Sequence, residues 1–274
     1  MPSRLPTAHL VQPAIAWEGK AANHEHVRRL LDPLIDDDKI AEGDLIQLPE
    51  MFDTGFSFNV EATNDKTGET LQFLLDLADD TKAIVAGGRT IAPCHKCAAK
   101  NVMTIVGPGQ KIIAEYTKSY LFSPGGENKR FEPGNEVVTW QWSAANLKVQ
   151  TAICYDLRFP ELFRAGLAQG AQLIALGACW PNVRQHHWRS LLIARAIENQ
   201  AIVLGVNRSG DDPVKINGDK GLHYAGGTIA IGPKGEVLGE LGEEAAVLSV
   251  PVDTTSVTQW REQFGAWRDM KSKH

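Results

Sequence analysis

Three short segments each place a reactive side chain directly after an apolar run. They are Glu50 in Leu45-Ile46-Gln47-Leu48-Pro49-Glu50-Met51-Phe52, Lys118 in Glu115-Tyr116-Thr117-Lys118-Ser119-Tyr120-Leu121-Phe122, and Cys154 in Thr151-Ala152-Ile153-Cys154-Tyr155-Asp156-Leu157-Arg158. In open α/β sheets, sites form where strands end at their carboxyl edge, so a carboxylate, an amine and a thiol arriving there by three routes can meet in one pocket. Together they suit acyl transfer. A thiol attacks a carbonyl as thiolate, and a free pKa of about 8.5 leaves little of that form at neutral pH. A helix N-terminus after Cys154 and a nearby ammonium are expected to favour it. Glu50 can take the proton and return it to a departing amine. Lys118 and the backbone N–H of Tyr155 can hold the tetrahedral oxyanion, and one such donor is typically worth ~10²–10³ in rate. Each residue also has a plainer reading: Cys154 as a small buried hydrophobe, Glu50 as a solvated loop acid, Lys118 as a surface charge. Spacing alone does not establish convergence.

The elements that must position them alternate between apolar strands and amphipathic helices. Strands are predicted at Ala8–Gln12, Asp44–Leu48 and Ala83–Gly87. Between them, Val27, Leu30, Leu31 and Leu34, and then Leu71, Leu74, Leu75 and Ala78, recur at the spacing of one helical face. Pro33 is expected to kink or end the first of these helices. Further strands are predicted at 101–106, 111–116, 137–142 and 147–153, with turn signals such as Gly107-Pro108-Gly109. A helix over Phe159–Leu167, a strand at Leu173–Leu176, a helix carrying Trp188, Leu191, Leu192 and Ala196, and strands at 201–206, 227–231, 237–241 and 246–250 complete the set. Helices interspersed with about a dozen strands point to an α/β fold with a mixed sheet, or two packed sheets, and helices outside. No linker or internal repeat divides the chain, which reads as one domain.

Composition removes several function classes. The chain has 274 residues, 43% hydrophobic and 22% charged, so it is neither disordered nor low-complexity. Twenty-eight basic against 33 acidic residues give a net charge of −5, which argues against nucleic acid as a partner. No apolar stretch reaches the 18 or so residues of a membrane span. Met1–Leu10, with Arg4, His9 and two prolines, has no apolar core of a secretory signal. Four cysteines are too few for a disulfide scaffold, so a cytoplasmic location is expected.

The three reactive segments together resemble the nitrilase, or carbon–nitrogen hydrolase, superfamily, whose members hydrolyse amides or nitriles through a Glu-Lys-Cys triad. In the expected chain order Glu50 matches the base, Lys118 the lysine and Cys154 the nucleophile. The surrounding strings Pro49–Phe56, Cys154–Glu161, Ala194–Gln200 and Gly205–Arg208 are specific, and the resemblance runs from about Thr7 to Trp267. It implies a four-layer α-β-β-α sandwich, pairing through one helical layer into a homodimer, with a core over about 7–250 and a C-terminal extension over 251–274. It implies no metal and no cofactor, and a small-molecule amide as substrate. A second glutamate often supports the lysine in this family. Glu127, nine residues after Lys118, is similar to it and is preferred over Glu132 on loop position. Pro49-Glu50-Met51-Phe52-Asp53-Thr54-Gly55-Phe56, with Cys179-Trp180-Pro181 and Arg184, resembles the omega-amidase branch, which removes the terminal amide of 2-oxo dicarboxylic acid monoamides such as 2-oxoglutaramate or 2-oxosuccinamate. Other amidase activities of the family, on N-carbamoyl amides or deaminated glutathione, and nitrile hydrolysis are the alternatives. An omega-amidase substrate carries a negative charge at its far end, so a cation is needed. Arg184 is the candidate, with Trp180 and Phe122 as walls, although a solvated Arg184 and a packed Trp180 are equally compatible with the sequence. Arg158 and Glu161 read as a structural ion pair. The charged segment 210–221 departs from the branch and is expected to border the pocket.

The remaining candidates are weaker. Cys94-His95-Lys96-Cys97 has half a zinc spacing but no second pair, and reads as a hairpin loop with nothing in the sequence to support a disulfide. His186 and His187 lie on adjacent helical positions, which diverge by about 100°, and read as structural or surface residues rather than a base for Cys154.

Overall fold

The computed structural model describes residues 4–94, 97–213 and 221–270. In chain order its strands are β1 (Thr7–Gln12), β2 (Leu45–Gln47), β3 (Ile84–Ile91), β4 (Lys100–Gly107), β5 (Lys111–Thr117), β6 (Thr139–Trp142), β7 (Leu147–Ile153), β8 (Leu173–Gly177), β9 (Ile202–Val206), β10 (Ser209–Asp211), β11 (His223–Ala225), β12 (Ile229–Ile231), β13 (Val237–Glu240) and β14 (Ala246–Pro251). The helices are α1 (Lys20–Asp36), α2 (Val60–Thr63), α3 (Glu69–Thr81), α4 (Pro160–Ala168), α5 (Gln185–Asn199) and α6 (Ser256–Gln263).

Alternation along the strands builds the layers. One six-stranded sheet runs β14-β1-β2-β3-β4-β5 and the other β13-β12-β9-β8-β7-β6. Because successive side chains point to opposite faces, Ala8 and Leu10 of β1, Leu45 of β2, and Met103 and Ile105 of β4 face the second sheet and share a core with Val149 and Ile153 of β7 and Leu176 of β8. Their neighbours Val11, Ile46, Val85 and Val106 turn outward onto Val27 and Leu31 of α1 and Leu74 and Ala78 of α3. Trp188, Leu192 and Ala196 of α5 cover the far face of the second sheet. The result is the α-β-β-α sandwich that the family resemblance implies, and the two packed sheets settle the choice the element pattern left open.

Strand direction decides where chemistry can gather. β1, β2 and β3 are mutually parallel, as are β7, β8 and β9. β5 is antiparallel to β4, which is antiparallel to β3, so β5 runs the same way as β2 and ends at the same edge.

Three local expectations need correction. α1 continues through Pro33 to Asp36. Pro33 is exposed in the last turn, where water can take the freed carbonyl, while Val27 and Leu31 hold the inner face in the core. Cys94 and Cys97 form a disulfide, with Cα atoms 5.1 Å apart in the turn between β3 and β4. The residues between them, 95 and 96, lie outside the described residues. The short hairpin of β10 and β11 and the helices α2 and α6 were not anticipated; they are too short or too polar to show a period.

Candidate active site

β2 delivers Glu50, the third residue past its end, to the meeting edge of the sheets. The backbone there is crowded. A Cβ on Gly88 of β3 would lie 2.6 Å from Met51 N and 2.7 Å from Glu50 Cα, and one on Gly177 of β8 would lie 3.1 Å from Glu50 N. Glycine at both places lets the two sheets clamp the Glu50 turn. The side chain is fully buried.

Lys118 follows β5 directly and is also fully buried. Its ammonium lies 2.7 Å from Glu50 Oε1 and 3.1 and 2.9 Å from Glu127 Oε1 and Oε2. Burial opposes its charge, but the carboxylates of Glu127 and Glu50 outweigh it and hold its pKa well above the ordinary lysine value. Glu127 sits in a 3₁₀ turn and also accepts from the Phe122 N–H at 2.6 Å. Glu132 lies at the surface, 3.5 Å from Lys100. Asn101 of β4, which sequence reasoning missed, donates to Glu50 Oε1 at 2.7 Å and to Glu127 Oε1 at 3.0 Å, so one amide spans both carboxylates. The only available signal was an asparagine among the inward positions of an apolar strand.

Cys154 follows β7 at a sharp turn into a 3₁₀ helix over Cys154–Arg158. Its φ of +46° is a left-handed conformation that costs a non-glycine residue ~1–3 kcal/mol and must be held by its surroundings. Asp156 supplies that hold. Its carboxylate accepts from the Ile153 N–H at 2.9 Å, and from the Tyr116 hydroxyl and the Tyr120 N–H at 2.8 Å each. One side chain therefore ties the Cys154 turn to both flanks of Lys118. Burial raises its carboxyl to about 6. Tyr155 is the second residue of the 3₁₀ turn, so its N–H belongs to the end without intrahelical acceptors.

The thiolate expectation is overturned. Burial pushes the Cys154 thiol well above its ordinary pKa, the charge of Glu50 adds to the rise, and Lys118 does not offset them. These surroundings favour the neutral thiol, and the Glu50 side chain beside it suits general-base activation.

Cys154 opens into a cavity of about 390 Å³, mouth included. Phe122, Tyr155, Trp180 and Arg184 line it, as does Arg158. The Arg184 guanidinium lies over the Phe122 ring at 5.3 Å, and Trp180 Nε1 donates to Arg184 O at 2.8 Å. The expected Arg158–Glu161 ion pair does not form. Glu161 accepts from the Tyr120 hydroxyl, and Arg158 turns inward over the Trp180 ring at 4.9 Å, where an aromatic face holds a cation. Two cations thus flank the cavity where one was anticipated. His187 Nδ1 is 3.3 Å from Arg158 and His186 is 3.3 Å from Ser190; neither lines the cavity. Of the segment 210–221, residues 214–220 lie outside the described residues, and Leu222 just beyond it reaches the cavity. Among the described residues no cluster of His, Cys, Asp and Glu could hold a metal ion, and no helix is long and apolar enough to cross a membrane.

The family profile for carbon-nitrogen hydrolases matches residues 7–262. The chain belongs to the carbon-nitrogen hydrolase family. This hydrolase is 34% identical over 261 residues to the Omega-amidase YafV of Yersinia enterocolitica, covering 95% of this chain and 94% of that protein. It is 31% identical over 229 residues to the 2-oxoglutaramate amidase of Bacillus subtilis, covering 83% of this chain and 85% of that one. Among solved structures, XC1258 from Xanthomonas campestris, a CN-hydrolase superfamily protein with an arsenic adduct in its active site, matches over 99% of each chain with a TM-score of 0.87 and 29% identity.

Proposed function

We propose that this carbon-nitrogen hydrolase is an omega-amidase, releasing ammonia from the terminal amide of a 2-oxo dicarboxylic acid monoamide such as 2-oxoglutaramate. The observation that carries the reading is the buried Glu50–Lys118–Glu127 cluster together with Cys154, which lines a cavity whose walls also carry Arg158 and Arg184. Similarity to omega-amidase and 2-oxoglutaramate amidase relatives supports it.

The chemistry follows from the charges. Cys154 gives its proton to Glu50 as sulfur bonds to the amide carbon and the carbonyl π pair moves to oxygen. Lys118 has three N–H donors. Glu50 takes one and Glu127 straddles another, leaving one, with the Tyr155 N–H, for the oxyanion. Glu50 then protonates the departing nitrogen, the C–N bond breaks, and a thioester with ammonia remains. Glu50 next deprotonates water, which attacks the thioester. The carbon–sulfur bond breaks, Cys154 recovers its proton and the dicarboxylate is freed. The guanidinium groups of Arg158 and Arg184 pair with the substrate's distant carboxylate, and charge-assisted bonds of that kind set its orientation.

Cys154→Ala is expected to keep the wild-type circular dichroism spectrum and to release no ammonia from 2-oxoglutaramate above the uncatalysed rate. Retained turnover would overturn the assignment of the nucleophile.

A further inference from the structure

The cavity contains a second sulfur for which amide hydrolysis has no task. Cys179 is a free, buried thiol and lines the same cavity as Cys154. β7 and β8 are parallel with Ile153 beside Gly177, so the two chains leave the sheet side by side and Cys179 lies one residue beyond the position opposite Cys154. Neighbouring strands are separated by about 4.8 Å, and a disulfide spans Cα atoms roughly 4.4–6.8 Å apart. The Cys154 thiol contacts the carbonyl oxygen of Cys179 at 3.9 Å, and the Cys179 thiol donates to the carbonyl oxygen of Glu50 at 3.1 Å. The Cys154 sulfur therefore sits against the Cys179 backbone, and the Cys179 sulfur against the Glu50 turn. The other two cysteines already form a disulfide in the turn after β3.

We propose that Cys179 is a resolving thiol, making the pair a modification site for small hydroperoxides. Sulfur of Cys154, having lost its proton to Glu50, attacks one oxygen of hydrogen peroxide; the S–O bond forms as the O–O bond breaks, the departing hydroxide takes the proton from Glu50 and leaves as water, and Cys154 becomes a sulfenic acid. Sulfur of Cys179 then attacks that sulfur. The S–S bond forms, the S–O bond breaks, and the hydroxyl leaves with the Cys179 proton as a second water. Two thiols supply the two electrons that reduce the peroxide. The consequence is protective: a sulfenic acid with no partner proceeds to the sulfinic acid, which dithiothreitol does not reverse, whereas a disulfide is reducible.

The test treats the purified protein with hydrogen peroxide, blocks remaining thiols, and digests it with trypsin without reduction. Cleavage at lysine and arginine places Cys154 in peptide 149–158 and Cys179 in peptide 165–184. The expected product is these two peptides joined with the loss of two hydrogens, formed in step with the loss of amidase activity and reversed by dithiothreitol. In Cys179→Ser the expected product is Cys154 carrying two added oxygens. Dithiothreitol should then recover at least about fivefold less of that variant's own untreated rate than it does for wild type. Wild-type protein that accumulates the sulfinic acid without the cross-link overturns the proposal, as does a Cys179→Ser protein that recovers as fully as wild type. The proposal rests on the omega-amidase reading only for the activity measurement. The cross-linked mass is read without substrate, so failure of untreated enzyme to turn over 2-oxoglutaramate would refute that reading and not this one.

Discussion

Replacing Glu127 by glutamine tests whether the lysine charge is shared between two acids. Every donor around Glu127 is aimed at an oxygen: Lys118 at both, Asn101 at Oε1 and the Phe122 N–H at Oε2. Glutamine must put an NH₂ at one of those positions. Placed at Oε2 it faces the Phe122 N–H and the ammonium; placed at Oε1 it faces the Asn101 amide and the ammonium. A buried donor left without an acceptor costs about 1–3 kcal/mol. Removing one carboxylate from a buried ammonium brings the total to roughly 3–5 kcal/mol, the range for breaking one side of a buried pair. Lys118 then leans on Glu50 alone, and a carboxylate that carries the whole ammonium is a poorer base. If two-thirds or more of this cost falls on the transition state, kcat/KM drops by roughly 30-fold to 5,000-fold at about 1.36 kcal/mol per decade. The loss should fall in kcat with KM within about threefold, because Glu127 does not line the cavity. Steady-state ammonia release from 2-oxoglutaramate measures it, with Glu132→Gln, at the exposed Lys100 pair, as a control expected to stay near wild type. A Glu127→Gln protein with native circular dichroism and wild-type kcat would refute the charge-sharing argument.

Three further outcomes follow from particular contacts. Gly88→Ala should lower kcat at least tenfold and stability by about 1–3 kcal/mol, since its Cβ would meet the Glu50 backbone at 2.7 Å, whereas Gly242→Ala, with open space around it, should do neither. Ammonia-release assays and urea melts separate the two. Burial raises Asp53 to about 6, so the folded state binds its proton more tightly than the unfolded chain; the associated stability is present below about pH 4, is lost as pH rises through about 6, and is flat above. Asp53→Asn should remove up to ~3 kcal/mol of that decline in urea melts at pH 4 and 7.5, because its side-chain hydrogen-bond partners are the adaptable hydroxyls of Thr70 and Thr54. Arg158→Ala and Arg184→Ala should each raise KM for 2-oxoglutaramate about tenfold or more and leave that for an uncharged primary amide within about twofold; equal effects on both substrates would show that neither arginine reads the carboxylate.

What the chain determined by itself is the class of its fold and which residue types stand where they could react. Periodicity placed most strands and the long helices because alternation and helical spacing are local consequences of burying one face. Glu50, Lys118 and Cys154 stood out because a reactive side chain directly after an apolar run is a feature of neighbouring residues. What required the tertiary structure depends on residues distant in the chain. Burial raises the Cys154 thiol pKa, which no local pattern encodes, so the surroundings favour a thiol where a thiolate was expected. Arg158 turns from Glu161 to the cavity because Trp180, 22 residues away in sequence, offers its ring. Asn101 joins two acids because β4 lies beside β5, and Gly88 and Gly177 matter only because two sheets close on the same turn. Desolvation and close approach are properties of packed neighbours, and packing is decided when the sheets meet.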